Sequence, residues 1–482
     1  LSSRISGMRK GRNLSWPGLA WSGVVCLLAW ALLEQARGWL RECHGEDGFT
    51  HRGYYFILSR NPGYGLADYE RILDRMAEDR ANLLILWIGG GFPSKRYPET
   101  WDYNRDHRNC RENFAGKAID HAHRRGIKVL LGLTPFAYDG VNRYGAAHPE
   151  LGAADAEGKP AVKGGIHSLG RGLCPSKPAA RDFMMGYSRE LFDGFYPNAD
   201  GFFLEHSDYG TCQCKDCGGG SGLRKEWEFI EELSRHVWAR KPEALLMIYP
   251  QYATLGVEYD PRYVVFLAPH NQRGAEKVKN PKVLWNGYWD VGAFFKDLCV
   301  TAARSGYVGV IPSMENITYE NPYAFDTRWG LPGSAGWDDL IVRVTRLSFR
   351  EYGAKPDLSD TEFRKIAKSV FFDADTPDSA AGDLLALHRH LNRWSGWTWR
   401  AGVMKLPDAH VDLKALDPKA RETFEKETLP ALRALKEIRG RSAGLAGAEP
   451  RTKGQKTLAR MAEISGWVLE RWKGNLPEGA TE

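Results

Sequence analysis

The sequence predicts an α/β protein, a (β/α)8 TIM barrel followed by a C-terminal helical subdomain. Three observations lead there. From residue 50 onward, short β-rich runs alternate with helical stretches, the pattern of a parallel sheet built from βαβ units. Eight such runs can be traced, joined by connections long enough for a crossover, which suits a closed barrel better than an open doubly wound sheet. From about Ser334 the strand pattern stops and the periodicity turns helical through to the end of the chain.

The elements follow in order. His51 to Leu58 (HRGYYFIL) reads as the first strand, with a helix over Leu66 to Arg80. Asn82 to Ile88 is the second, leading through Gly89-Gly90-Gly91 to a helix near Arg111 to Arg125. Ile127 to Leu133 is the third, with a long loop to about Ser176 and a helix to Tyr196. Gly201 to Glu205 is the fourth and runs into His206-Ser207-Asp208-Tyr209-Gly210. The remaining strands are Leu245 to Tyr249, Tyr263 to Leu267, Val283 to Gly287 and Tyr307 to Ile311. The gaps after the fifth and sixth are near the minimum for a crossover, so stunted helices are expected there. Beyond residue 334, helical runs stand at Glu362–Phe372, Asp417–Arg439 and Thr457–Trp472. The predicted division is 1–31, 50–333 for the barrel and 334–482 for the helical subdomain.

The chain has 482 residues with 43% hydrophobic and 26% charged, ample for a packed core and incompatible with general disorder. Its net charge of +6 hints at an anionic partner, but the excess is localised. Arg4, Arg9, Lys10 and Arg12 precede an uncharged stretch, 13–33, that ends near the small-x-small triplet Ala29-Trp30-Ala31. A positive n-region, an apolar h-region and such a triplet describe a signal peptide over 1–31, with Met8 a better start than Leu1. A retained membrane anchor and a buried helix are the other readings. Export implies a secreted or periplasmic protein, and a membrane partner only if the segment is kept. Without 1–31 the basic residues number 62 against 60 acidic ones, and the case for nucleic acid falls away.

In a barrel, catalytic groups project from the carboxyl ends of the strands. Those ends offer Ser59 and Arg60; Trp87; Thr134 and Phe136; Glu205, His206 and Asp208; Gln251 and Tyr252; His270 and Asn271; Asn286, Tyr288, Trp289 and Asp290; then Glu315 and Asn316. Walker loop, nucleophile elbow and dinucleotide fingerprint are all missing. Carboxylates with amides and aromatic rings suit a neutral polyhydroxylated ligand, an oligosaccharide or polysaccharide, because rings stack on the apolar faces of sugars. Arg60, Trp87, His206, Tyr252, His270, Asn271, Asn286, Trp289 and Trp329 are the candidate sugar contacts. Glycoside cleavage needs one carboxylic acid to protonate the leaving oxygen and, commonly, a second carboxylate to attack or to activate water. Glu205 is the candidate acid, since it ends an apolar strand where loss of water favours the protonated form. Glu315 and Asp290 are candidates for the second group, and Asp208 for orienting Glu205 or the substrate. The bland alternatives are a loop cap for Glu205, a helix N-cap for Asp290 and hydrogen-bonded wall residues for His206 and His270.

Cys212, Cys214 and Cys217 form C-x-C-x-x-C after the fourth strand. Such spacing can give three thiolates to zinc, with Cys174 favoured over Cys110 as the fourth. A structural zinc, disulfides of an exported protein, and free thiols all remain open; catalysis itself calls for no cofactor.

Arg52-Gly53, with Arg60 eight residues after Arg52, resembles the first barrel strand of family 20 glycoside hydrolases, the β-N-acetylhexosaminidases. Asp74-Arg75-Met76-Ala77 and Asn82 resemble that family's first helix and second strand. Cys174-Pro175-Ser176 with the cysteine cluster looks more like family 163 and α-glucuronidase-like relatives. The resemblance implies a barrel hydrolase in which Arg60 binds sugar hydroxyls where cleavage occurs. There are departures. Family 20 has an Asp-Glu pair after strand four, its Asp holding the substrate's acetamido group, where this chain has Leu204-Glu205. The His and Asp expected after strand two are replaced by Trp87-Ile88-Gly89. The expectation is therefore an exported glycoside hydrolase, hexosaminidase-like or using two protein carboxylates as α-glucuronidases do. The rivals are a non-catalytic glycan-binding barrel, a polysaccharide lyase and a metal-dependent hydrolase.

Overall fold

The eight runs close on one another. In the computed structural model, which describes residues 48–58, 64–163, 170–207, 212–249, 251–267, 277–286, 294–312, 336–394 and 417–473, they form one closed parallel barrel. Its strands are β1 (His51–Ile57), β2 (Leu83–Trp87), β3 (Lys128–Leu133), β4 (Gly201–Leu204), β5 (Leu245–Ile248), β6 (Tyr263–Leu267), β7 (Lys282–Asn286) and β8 (Gly309–Pro312). Each pairs with the next, and β8 returns to β1 through His51 and Arg52.

Strand periodicity divides the side chains between two cores. Tyr55, Ile85, Trp87, Leu130, Phe203, Met247, Phe266 and Trp285 fill the lumen. Their neighbours Tyr54, Phe56, Leu84, Leu131, Phe202, Leu204 and Val265 belong to the larger core shared with the helices. Gly201 opens β4 because a Cβ there would stand 1.9 Å from the Leu245 carbonyl oxygen. Any side chain would force β4 and β5 apart.

The outer helices are amphipathic in the expected register. α1 (Leu66–Glu78) buries Tyr69, Ile72, Leu73 and Met76, one face at i, i+3, i+4 and i+7. The helix expected near Arg111 to Arg125 is divided into a short piece, Arg108–Arg111, and α2 (Ala115–Arg124). Asn113 lies between them with φ 42°, a left-handed conformation that interrupts a helix. α3 (Pro178–Arg189) precedes β4, and α4 (Ser221–Arg240) follows it. Among the described residues, the connection after β5 holds only the 3-10 turn Tyr252–Leu255, as its length predicts. α5 (Lys296–Arg304) precedes β8.

The helical region comprises α6 (Leu340–Ala354), α7 (Asp360–Phe371), α8 (Ser379–Trp394), α9 (Leu429–Ala446) and α10 (Lys453–Lys473), with a short segment Pro418–Thr423 before α9. α6 closes the barrel's outer layer over β1. Phe349 meets Tyr54 at 4.8 Å between ring centroids, and Trp337 meets Tyr54 at 5.7 Å. Arg346 forms a two-point contact with Asp79, Nε to Oδ2 at 2.7 Å and Nη2 to Oδ1 at 3.0 Å. Asp339 caps α6 by accepting from the Ile341 amide and also receives Arg460 from α10 at 2.9 Å. Residues 1–47, including the segment 1–31, lie outside the described residues. Among the described residues no helix is long and apolar enough to cross a membrane.

Candidate active site

Strand parity aims Glu205. β4 ends at Leu204, but the Glu205 amide still donates to the Leu133 carbonyl at 3.0 Å, so the alternation continues one residue further. Phe203 faces the lumen and Leu204 the helices; Glu205 therefore returns to the lumen, at the carboxyl end of the barrel. The Tyr55 hydroxyl donates to its Oε2 at 3.4 Å, and the residue is 7% exposed. Around Tyr55 stand Phe203 at 5.9 Å, Trp285 at 6.2 Å and Trp87 at 6.3 Å between ring centroids. A buried carboxylate thus rests on an aromatic floor, where a low local dielectric strengthens each electrostatic contact. Trp87 also meets Tyr138 edge-on at 6.0 Å. It fits because residue 132 is glycine: a Cβ there would be 3.0 Å from the Trp87 Cα and Cε3 atoms.

His206, of opposite parity, turns away from the lumen toward α4. Its Nδ1 lies 3.5 Å from Oε1 of Glu226, and the Tyr252 hydroxyl donates to the same oxygen at 2.6 Å. All three residues are buried. The Tyr252 hydroxyl is pushed well above its ordinary pKa by burial and by the negative charges of Glu226 and Glu205. Tyr252 and His206 are thus brought together around an acid, not onto an open wall. Glu226 did not figure among the sequence candidates, which came only from strand ends. A signal was present: Gly222, Glu226, Phe229, Ile230 and Leu233 share one face of α4, and an acid on an apolar face needs a partner.

The loop after β3 is strained where it passes the mouth. Phe136 and Tyr138 have φ of 63° and 65°, a region that bulky L residues seldom occupy, and each costs about 1–3 kcal/mol. A cleft of about 160 Å³ opens between this loop and the one after β4, with Phe136, Asn142, Ser207 and Glu226 in its walls.

At one wall of the cleft, which Cys212 helps to line, Cys174, Cys212, Cys214 and Cys217 converge, their sulfurs all within 4.8 Å of one another. The structure brings Cys174 to the cluster, while Cys110 packs by the Gly90 carbonyl. None of the described cysteines is in a disulfide. A hydrogen bond from Cys212, opposed by burial and helped by Ser176, brings the Cys174 thiol down to about 4; burial pushes Cys217 up to about 11.

Arg60, Asp208, His270, Asn271, Trp289, Asp290, Glu315 and Trp329 lie outside the described residues, and Asn286 is described through its backbone alone, at the end of β7.

No known family description matches this sequence, and no curated protein matches it. Solved structures do. A family 138 enzyme targeting pectin rhamnogalacturonan II superposes with a TM-score of 0.53 at 12% identity, over 88% of this chain and 57% of that one. The chain therefore spans little more than half of that enzyme's length. The chitobiase of Flavobacterium johnsoniae matches at a TM-score of 0.43 and 14% identity, over 90% of this chain and 74% of that one. A β-N-acetylhexosaminidase from Bacteroides fragilis matches at 0.47 and 11%, over 67% and 70%. The barrel expected from the sequence is met: this chain is a closed parallel (β/α)8 barrel, similar in fold to the family 138 enzyme.

Proposed function

We propose that this protein is a glycoside hydrolase in which Glu205 protonates the departing glycosidic oxygen. One observation carries the reading: a buried carboxyl group at the carboxyl end of β4, held by the Tyr55 hydroxyl over an aromatic floor. A sugar ring stacks on such a floor, and a carboxyl group shielded from water can carry the proton that the leaving oxygen needs. Glu315 or Asp290 is the proposed partner for the water or nucleophile step, with Asp208 orienting Glu205 or the substrate. In a hexosaminidase-like reaction the substrate's acetamido group would attack; in an α-glucuronidase-like one a protein carboxylate takes that role. The replacement of the Asp-Glu pair by Leu204-Glu205 favours the second, because the acetamido-holding acid is absent from its usual position.

A panel of aryl glycosides, including N-acetylglucosaminides and glucuronides, decides the substrate class. Glu205→Gln should lower kcat/KM on the substrate found by about 10²–10⁴ with the melting temperature unchanged. Full turnover by that variant would overturn the assignment, and glycan binding without turnover in the unaltered protein would make this a binding barrel. We also propose export, on the basic and then apolar composition of residues 1–31. Amino-terminal sequencing of protein recovered outside the cytoplasm checks it; an unprocessed cytoplasmic chain refutes it.

A further inference from the structure

We propose that Cys174, Cys212, Cys214 and Cys217 bind one structural zinc ion, which fastens the loop behind β4 to the long connection that follows β3. The site stands on its own geometry and is independent of the hydrolase reading.

The Cys174 sulfur is 3.7 Å from that of Cys217 and 3.8 Å from that of Cys214, and all four sulfurs lie within 4.8 Å of one another. A regular tetrahedron around zinc, with Zn–S bonds of about 2.3 Å, has edges of about 3.8 Å. Disulfides would instead pair the sulfurs two by two at about 2.05 Å. Here they gather about a common point.

The surroundings suit thiolates. The Ala154 amide donates to the Cys212 sulfur at 3.3 Å and the Cys214 amide to the same atom at 3.5 Å. The Ser176 hydroxyl lies 2.9 Å from the Cys217 sulfur and 3.0 Å from that of Cys174. Such donors orient ligand atoms and offset their charge. Cys174, Cys212 and Cys217 are buried, and the packed neighbours are Ala153, Ala154 and Ala161. Four thiolates at tetrahedral spacing leave no open coordination position, which marks a structural ion and not a catalytic one.

The ligands come from separate stretches of chain. Cys174 closes the connection after β3, its amide held by the Leu151 carbonyl at 2.9 Å. Cys212 and Cys214 lie beyond the loop that begins at Glu205, where the Gln213 amide donates to the Ala154 carbonyl at 2.8 Å. Cys217 stands just before α4, and the Cys217 and Gly218 amides both donate to the Cys214 carbonyl at 2.8 Å. Joining long irregular connections by one ion removes much of their freedom in the unfolded chain. It also fixes the start of α4, the helix that presents Glu226 to His206 and Tyr252.

The test is elemental analysis of protein purified without chelator, with no substrate involved. About one zinc per chain is expected, released in step with modification of four thiols by an organomercurial. Cys174→Ser and Cys217→Ser should lose the metal, while Cys299→Ala, in the core at α5, should retain it. Metal-free folded protein, intact-mass evidence of disulfides among the four, or iron in place of zinc would each overturn the proposal. If the serine variants fail to fold, the zinc content and thiol accessibility of the unaltered protein still decide.

Discussion

Replacing Asp79 by alanine should destabilise the protein far more than the worth of the ion pair that it breaks. Asp79 is 4% exposed and Arg346 5% exposed, so neither charge has water to fall back on. The guanidinium makes two bonds to the carboxylate and others to the Arg75 and Trp337 carbonyls, while the Tyr54 hydroxyl adds a contact to Oδ2 at 3.3 Å. Burial pushes the Asp79 carboxyl above its usual range despite the attraction of Arg346. A buried pair of this kind adds little net stability, because the cost of dehydrating both charges offsets most of their attraction. Asp79→Ala nevertheless leaves Arg346 buried with the half-exposed Glu78, 3.5 Å from its Nη2, as its remaining acidic neighbour, a loss of about 3–5 kcal/mol. At about 2 °C per kcal/mol for a large chain, the melting temperature should fall by about 6–10 °C. Asp79→Leu combined with Arg346→Met should recover most of that fall, because an apolar pair of similar bulk avoids both desolvation costs. Thermal melts of the two single variants and the double variant form the assay. A single variant within about 0.5 kcal/mol of the unaltered protein, or a double variant as weak as the two losses summed, would refute the reasoning.

Other outcomes follow from the same geometry. Tyr252→Phe removes the 2.6 Å donor to buried Glu226 and should cost about 1.5–3 kcal/mol in a chemical denaturation; an unchanged midpoint would show that Glu226 is not held as a charged acceptor. His388 and His51 are held neutral, chiefly by burial, with pKa values of about 3 and about 4 in place of 6.5. Below pH 6.5 the unfolded chain takes up protons that the folded one refuses, so stability should fall as the pH drops, by about 5 kcal/mol for His388 and 3 kcal/mol for His51 at the acid end. Asp79 runs the other way: titrating above 3.8 when folded, it favours the fold below that pH and loses the contribution as pH rises through its folded value. His388→Gln should flatten the melting curve between pH 6.5 and 4; an unaltered slope would exclude His388 as a source.

The barrel was legible because its signal is local and repeated. Tyr263 to Leu267 is the sixth strand as expected, and the other strands differ at their ends by a residue or two. Glu205 was legible as the residue that ends an apolar strand; which way its carboxyl points came from the structure, where its amide still bonds the Leu133 carbonyl. The C-x-C-x-x-C spacing likewise announced a cluster, and Cys174 joins it.

Glu226 was not found among the strand ends, because it lies inside α4 and acquires its partners from β4's extension and from the turn after β5. Likewise, nothing in the spacing told that His206 would face that helix, or that Arg346 would reach Asp79 across the chain. Sequence alone determined the strand count, the place of Glu205 at a strand end and the cysteine spacing, because periodicity and short-range spacing are written in neighbouring residues. Only the tertiary structure decided which buried charges meet, since the energy of a buried charge depends on partners that chain order does not place beside it.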